Sequence, residues 1–232
     1  MKHSFAPFFL LAALALPALN ADAANIAGEG FGIMGVHSGI DSANGIQYGQ
    51  AGQISNINDG DNATRADTWN GNQAHVNMTH SFVGVIWGPA RTDYVTSLNL
   101  IMATFGDGGW FGVNATPNPP TPGAAIGAGQ LVAPTVQVLG AGGWSTVAAT
   151  TDYLSVMTGQ PMGGQTPPIT FTLAAPQTGI NGIRIIGPEG GAASNGFIGV
   201  HEVRVEASPI PEPAAGLLGL GALLAGLARR RR

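Results

Sequence analysis

The sequence predicts an all-β fold, a β-sandwich or jelly roll, for the central part of the chain. Apolar and polar side chains alternate with a period of two over several short segments, and Gly, Pro, Asn and Asp separate these segments. No stretch between residues 24 and 208 has a convincing helical period, although residues 151–157 suit one short turn of helix. The 36 glycines and 16 prolines are compatible with the many turns that such a fold needs.

Each predicted strand has one apolar face. Leu98, Leu100 and Met102 share one face of the first clear strand. The same alternation occurs in three further segments: 135–138, 169–173 and 197–206. In the last segment Glu202 has the parity opposite to the apolar side chains. Two other stretches are rich in Pro and Gly and are predicted to be loops, either binding loops or plain insertions: residues 114–134 and 159–168.

The N-terminus has the three parts of a secretory signal peptide. Lys2 and His3 come first, residues 8–19 form an apolar run, and small residues at 21–24 supply a cleavage site. The alternatives are a buried helix or a membrane anchor, and about a dozen apolar residues are too few to span a bilayer comfortably. We therefore predict a signal peptide over residues 1–23.

The C-terminus combines a proline motif, a short apolar run and a basic end. Pro211, Glu212 and Pro213 precede the apolar residues 214–228, and four arginines follow. A helix over this run would rise about 22 Å, short of a hydrocarbon core of about 30 Å, and the arginines keep the C-terminus cytoplasmic. This order resembles the PEP-CTERM sorting signal. The resemblance implies a membrane-associated sorting tail over residues 209–232, processed by an exosortase in a Gram-negative bacterium that makes extracellular polysaccharide.

The body between the two ends, residues 24–208, is acidic and contains no cysteine. It has 11 acidic residues, four arginines and no lysine, and hence a net charge of −7. A nucleic-acid partner is disfavoured because phosphate binding depends on Lys and Arg. Without cysteine the body has no disulfide framework, no thiolate metal site and no cysteine nucleophile.

An oxygen-rich loop at residues 58–64 is compatible with a cation site. Asp59 and Asp61 flank a glycine and Thr64 follows, and oxygens of this kind suit hard cations such as Ca²⁺. The spacing does not match an EF-hand. A plain turn explains the same residues. Arg65 also competes with a cation as the partner of the two carboxylates.

Three segments of the body match a known family in order. They are residues 56–69 with Asp-Gly, Thr and Trp, residues 134–147 with a Gly-Trp turn between two strands, and residues 183–203 with Ile-Arg-Ile and a late Gly-Val-His-Glu-Val. With these segments the body resembles discoidin or coagulation-factor C-type domains, the galactose-binding-like sandwiches that include many carbohydrate-binding modules. The resemblance implies a structural Ca²⁺ held by Asp59, Asp61, Thr64 and Glu202.

The tryptophans are the candidate ligand-binding residues, because the CH groups of sugars pack on exposed aromatic rings. Trp110 lies in the glycine-rich segment 105–111, where we expect a turn and an exposed ring. Trp69 is the second candidate. Trp87 and Trp144 are expected to pack in the core or at its edge.

Three hypotheses for function follow. The first is an exported, non-catalytic surface or matrix module that binds glycan, with extracellular polysaccharide as its partner. The second is a structural or adhesive surface protein without a sugar site, and the third is a secreted hydrolase, although no nucleophile-elbow or zinc motif occurs. An exposed aromatic ring beside polar groups favours the first, a flat surface the second, and a cleft with two facing carboxylates the third.

Overall fold

The alternating segments form two antiparallel β-sheets with one hydrophobic core between them. The structure is a computed structural model that describes residues 23–39, 45–47, 54–69, 79–113, 123–191 and 196–209. All of these residues lie in one compact unit, Asp22–Ile210. The predicted signal peptide and sorting tail lie outside the described residues, apart from Ala23 and Pro209. The prediction of an all-β sandwich is confirmed.

The described strands are numbered in chain order. They are β1 (Ala24–Asn25), β2 (Phe31–His37), β3 (Gly45–Gln47), β4 (Ala66–Asp67), β5 (His80–Ile86), β6 (Tyr94–Met102), β7 (Gly108–Phe111), β8 (Thr135–Gly140), β9 (Gly143–Val147), β10 (Ala149–Thr151), β11 (Ile169–Gln177), β12 (Gly182–Gly191) and β13 (Gly199–Ser208). The first sheet has the order β1-β13-β6-β11-β10, with β4 paired to β13. The second has the order β3-β2-β5-β12-β8-β9, with β7 paired to β12.

One hydrophobic cluster joins the inner faces of the two sheets. Leu98, Leu100 and Met102 of β6 lie in it, as their shared parity predicted. The second sheet contributes apolar side chains from its central strands: Met34, Val83, Val85, Val136, Val138, Ile183 and Ile185. Because the chain has no cysteine, the burial of this apolar surface is the main source of stability.

The predicted turn of helix is present as α1 (Tyr153–Met157). The hydroxyl of Tyr153 donates to the carbonyl oxygen of Phe111 at 2.6 Å, which satisfies this polar group inside the core. Residues 159–168 form no strand beyond isolated bridges, as predicted. In the other predicted loop, the described residues 123–134 contain a 3-10 turn at Ala128–Gln130. None of the helices in the described ranges has the length and apolarity needed to cross a membrane.

On the outer face of the second sheet, the guanidinium group of Arg184 is buried between two aromatic rings. Arg184 donates from Nε and Nη2 to Gln137 Oε1 at 2.9 and 2.7 Å. Its guanidinium carbon lies 4.3 Å from the ring centroid of Trp144 and 5.0 Å from that of Phe82. Burial lowers the pKa of Arg184 to about 10. Trp144 therefore packs at the edge of the second sheet, on its outer face.

Candidate functional site

A cavity of about 260 Å³ lies where three chain segments meet. Asp67 ends β4 and Trp69 follows it, Phe105 and Asp107 belong to the turn between β6 and β7, and Phe197 precedes β13. The described lining therefore consists of three aromatic rings and two carboxyl groups. Such a combination of apolar surface with a few polar groups is typical of small-molecule sites.

Two of the three rings form a tightly packed pair. The centroids of Phe105 and Phe197 are 5.3 Å apart and the rings are inclined by 56°. Glycines make this packing possible. A Cβ atom on Gly108 would lie 2.3 Å from Phe197 Cε1, and one on Gly199 would lie 2.5 Å from Phe105 Cε2. The pair is thus a fixed wall of the cavity, because close packing leaves few alternative rotamers.

Trp69 is the exposed ring of the cavity, with 38% of its surface accessible. Its backbone N–H donates to Asp67 Oδ1 at 3.1 Å, so the buried Asp67 side chain shapes the turn that leads to Trp69. Between them, the Thr68 N–H donates to the carbonyl oxygen of Ile198 at 2.9 Å. These bonds hold the backbone beneath an accessible ring, which is the geometry that a stacking platform needs.

The expectation that Trp110 is exposed is wrong. Only 1% of its surface is accessible, and it belongs to the core. Only residues 105–107 of the glycine-rich segment lie in the turn; Trp110 belongs to the strand that follows, β7, which pairs with β12. Gly190 of β12 leaves the space that the indole fills, since a Cβ atom there would lie 2.5 Å from Trp110 Nε1. Phe105 and Asp107 are the side chains of this segment that reach the cavity.

Arg65 does not pair with the acidic loop. Its guanidinium carbon lies 4.7 Å from the ring centroid of Phe105, a cation–π contact. Within the described ranges, neither ion pair involves Arg65, Asp59 or Asp61. The structure therefore does not show the surface ion pair between Arg65 and the acidic loop that the sequence left open.

Acceptor oxygens crowd together in the acidic loop. Thr64 Oγ1 lies 2.8 Å from the carbonyl oxygen of Asp61, 3.0 and 3.3 Å from the carboxylate oxygens of Asp59, and 3.2 Å from the carbonyl oxygen of Asn56. A hydroxyl has a single proton, and carbonyl and carboxylate oxygens have none to give. The Asp61 carboxylate instead accepts from Ala63 N at 2.8 Å, so the backbone oxygen of Asp61 faces the cluster.

Hydrogen bonds connect this loop to strand β13, which lies late in the sequence. The contacts are Gly60 N donating to Glu202 Oε2 at 3.2 Å, His201 Nδ1 donating to Thr64 O at 2.7 Å, and Arg204 Nη2 donating to Asn62 Oδ1 at 3.3 Å. Because a carbonyl oxygen only accepts, His201 Nδ1 carries the proton. Residues 142 positions apart in sequence are joined in this way.

Glu202 places a buried carboxyl group beside the loop. Only 1% of its surface is accessible, and its Oε1 atom is buried without a hydrogen-bond partner. Burial raises the pKa of Glu202 to about 7; the Gly60 hydrogen bond and Arg204 oppose this shift, and Asp59 and Asp61 add to it. An unpartnered carboxylate oxygen near other acceptors is an observation that fits a cation ligand.

The donor set of this loop would need backbone oxygens to complete a metal site. No three His, Cys, Asp or Glu side chains converge as metal ligands in the part of the chain that the structure describes. Ca²⁺ takes six to eight oxygens, including carbonyls. The oxygens within 3.3 Å of Thr64 Oγ1 belong to Asn56, Asp59 and Asp61, and Glu202 adds a buried carboxyl oxygen beside the loop.

A second buried carboxyl group, that of Glu189, is connected by hydrogen bonds to the residue before Trp69. Glu189 Oε1 accepts from Ser81 Oγ at 2.6 Å, Ser81 Oγ contacts Thr68 Oγ1 at 2.9 Å, and Ile198 N donates to Thr68 Oγ1 at 3.0 Å. Glu189 Oε2 is buried without a partner. Burial raises the pKa of Glu189 to about 7, against the effect of the Ser81 hydrogen bond. These hydrogen bonds link Thr68, the residue before Trp69, to the buried Glu189.

Comparison with known proteins gives likenesses of structure alone. No protein-family model matches the sequence, and no curated protein sequence matches it. Chitosan-binding module 1 of a chitosanase/glucanase from Paenibacillus sp. IK-5 is 19% identical over 78% of this chain and 98% of its own, with a TM-score of 0.39. An F5/8 type C domain from Bacteroides fragilis is 14% identical over 82% and 99%, with a TM-score of 0.41. A structure of a Streptococcus pneumoniae β-galactosidase is 13% identical over 83% and 99%, with a TM-score of 0.44.

Sequence reasoning missed four of the five lining residues that the structure describes. Phe105 and Asp107 lie in the glycine-rich segment that it singled out, but Trp110 took their place as the candidate. Phe197 has the parity of a core residue, and it is buried while one edge lines the cavity. Asp67, two residues before Trp69, carried a usable signal, because Asp side chains often accept from the backbone N–H two residues on.

Proposed function

We propose that this domain is a non-catalytic module that binds glycan in the cavity beside Trp69. The observation that carries the proposal is the accessible Trp69 ring at a cavity that two carboxyl groups also line. A sugar offers CH groups to an aromatic face and hydroxyl donors to carboxylates. The cavity of about 260 Å³ is smaller than the pockets of about 300–1,000 Å³ that hold drug-sized ligands, so it suits one sugar unit of a chain.

A structural Ca²⁺ in the acidic loop belongs to the same proposal. Asp59, Thr64 and Glu202 would supply side-chain oxygens, and Asn56 and Asp61 would supply carbonyl oxygens. When bound, the ion would offset the repulsion among these oxygens and take no part in any reaction. The loop leads directly into β4, so its order supports the segment that presents the cavity.

The proposal places the module outside the cytoplasmic membrane. The predicted signal peptide, residues 1–23, would export the chain, and the sandwich domain, residues 24–208, would act at the cell surface or in the extracellular matrix. The predicted tail, residues 209–232, would hold it at the outer face of a membrane and present it to an exosortase. Extracellular polysaccharide of a Gram-negative bacterium is the expected glycan partner.

The sorting tail is tested by changing its motif. We expect the double variant Pro211→Ala, Glu212→Ala to be exported normally but to stay unprocessed, because the exosortase would no longer recognise the tail. Mass spectrometry of the surface and membrane fractions measures both properties. A variant with the same mass and location as the wild type would contradict the proposed role of the motif.

The glycan site is tested with the full chain on a glycan array, followed by titration of the best ligand. We expect Trp69→Ala to lower the affinity by at least about tenfold, because the stacking platform is lost. Phe31→Ala is the matched control: Phe31 is 77% accessible but lies on β2 and does not line the cavity. Equal losses in the two variants, or no loss in Trp69→Ala, would contradict the proposal.

A hydrolase is the second candidate, because two carboxyl groups line one cavity and glycosidases act through such a pair. Prolonged incubation of the bound oligosaccharide with the full chain separates the two functions. A binding module returns the oligosaccharide intact. Shorter products that disappear in Asp107→Asn would make the protein a hydrolase. Absence of binding to every glycan on the array would favour a structural or adhesive protein.

A further inference from the structure

We propose that the cavity selects glycans that carry protonated amino groups over neutral glycans, and that it disfavours glycans made of uronic acids. This inference rests on the proposed glycan-binding function and adds the charge class of the sugar.

The described lining carries acidic groups and no basic group. Asp67 and Asp107 both line the cavity, together with three aromatic residues. Asp67 is 3% accessible and so belongs to the wall itself, whereas Asp107 is half-buried at the turn before β7. Arg65 contacts this wall, where it stacks on Phe105 without lining the cavity.

An ammonium group gains more from this lining than a hydroxyl group does. A hydrogen bond between an ammonium and a carboxylate joins two charges and is roughly twice as strong as a neutral one. Aromatic faces also attract cations within about 6 Å of the ring centroid, and Trp offers the strongest such attraction. The cavity places carboxyl groups and the accessible Trp69 ring together, so one ammonium group can use both.

A uronic acid has the opposite balance. Its carboxylate would enter a partly closed space beside Asp67 and Asp107, where repulsion between like charges is stronger than in water. The body adds to this at longer range, because residues 24–208 carry a net charge of −7. A field of this sign draws polycations toward the surface and repels polyanions.

The test compares three oligosaccharides of equal length at mildly acidic pH: glucosamine of the chitosan type, N-acetylglucosamine of the chitin type, and galacturonate. Titration calorimetry with the full chain measures each affinity. We expect the glucosamine oligosaccharide to bind about tenfold more tightly than the neutral one, the gain from one charge-assisted hydrogen bond, and galacturonate to bind most weakly. Added salt should screen both the attraction of glucosamine and the repulsion of galacturonate, and it should leave the affinity of the neutral oligosaccharide unchanged.

Variants locate the preference in the cavity. Asp107→Asn keeps the size of the side chain and removes its charge, so the preference for glucosamine should fall to less than about threefold while the neutral oligosaccharide still binds. Asp67→Asn should act in the same direction. Glu206→Gln is the matched control, because it removes the same charge from β13 outside the cavity lining, and it should leave the preference unchanged.

The outcomes separate this inference from the function on which it rests. Equal affinity for the amino and neutral oligosaccharides, or a preference for galacturonate, overturns the inference and leaves glycan binding in place. The same holds if Glu206→Gln reduces the preference as much as Asp107→Asn. Failure of all three oligosaccharides to bind also overturns the inference, and failure of every glycan on the array overturns the proposed function as well.

Discussion

Trp69 and Trp110 both lie within a few residues of a turn, yet 38% of Trp69 is accessible and only 1% of Trp110. The backbone around Trp69 is held by Asp67 and by the Thr68–Ile198 pair, and its ring stays accessible. Trp110 is part of β7, where glycine on the neighbouring strand makes room for its ring. The two rings belong to two regions, a cavity and a core.

The difference shows that glycine near an aromatic residue does not by itself predict an exposed ring. In a turn, glycine permits an unusual backbone conformation. In a sheet, glycine removes a side chain and lets a ring from another strand pack on the backbone. Gly190 does this for Trp110, and Gly108 does it for Phe197. Composition alone does not distinguish the two cases.

The largest expected effect belongs to the core region. We expect Trp110→Ala to lower the free energy of unfolding by about 3–5 kcal/mol, because it leaves a large cavity among close-packed side chains. Chemical denaturation measures this change. Trp69→Ala is the control and should change stability by less than about 1 kcal/mol, since its ring is accessible. Similar losses in both variants would show that Trp69 is also a core residue.

Glu189 in the same interior region gives stability a pH dependence. Its pKa rises from the ordinary 4.5 to about 7 on folding, so the unfolded chain releases this proton first as the pH rises through that window. Stability should therefore fall between about pH 4.5 and 7, and be lower by on the order of 2–3 kcal/mol at about pH 8.

Glu189→Gln should make this part of the stability curve less steep, and Glu202, whose pKa also rises to about 7, should account for slope that remains. Denaturation of the wild type and the variant across the same pH range gives the difference that belongs to Glu189. Curves for Glu189→Gln and the wild type with the same slope would contradict a raised pKa of Glu189 in the folded protein.

Calcium binding tests the proposed role of the acidic loop, which leads into the segment that presents the cavity. We expect Ca²⁺ to raise the melting temperature and a chelator to reverse the rise, with stabilisation of about 2.7 kcal/mol at a hundredfold excess over Kd. Asp59→Ala and Glu202→Ala should each abolish the calcium-induced shift, since each removes a ligand of the ion. Arg65→Ala should keep it, because Arg65 stacks on Phe105. A melting temperature indifferent to both calcium and chelator would leave the loop a plain turn.

Local pattern predicted the fold well and the site only in part. The strands β6, β8, β11 and β13 follow from alternation, because one face of each meets the same core. The buried state of Glu202 did not follow, since its position on the polar face predicts exposure unless another segment covers it. The acidic loop that covers it comes from a distant part of the chain.

The cavity was harder to predict for the same reason. Its lining residues come from three segments that only the sheet pairing brings together. Trp69 was found because it is large and aromatic, whereas Asp67 and Asp107 look like ordinary turn residues in the sequence. The sequence alone does not give the long-range strand register, which places side chains from segments 36 to 130 residues apart around one cavity.

The most direct test of the site is a fluorescence experiment on Trp69, and the variant that it uses should change stability least of all. Trp69 is the most accessible of the four tryptophans, so a collisional quencher in solution should act mainly on its emission. If glycan binds in the cavity, a saturating oligosaccharide should protect a large part of the emission from the quencher, and Trp69→Phe should lose that protection while it still folds. Binding of the oligosaccharide to the wild type with unchanged quenching would contradict a site at Trp69.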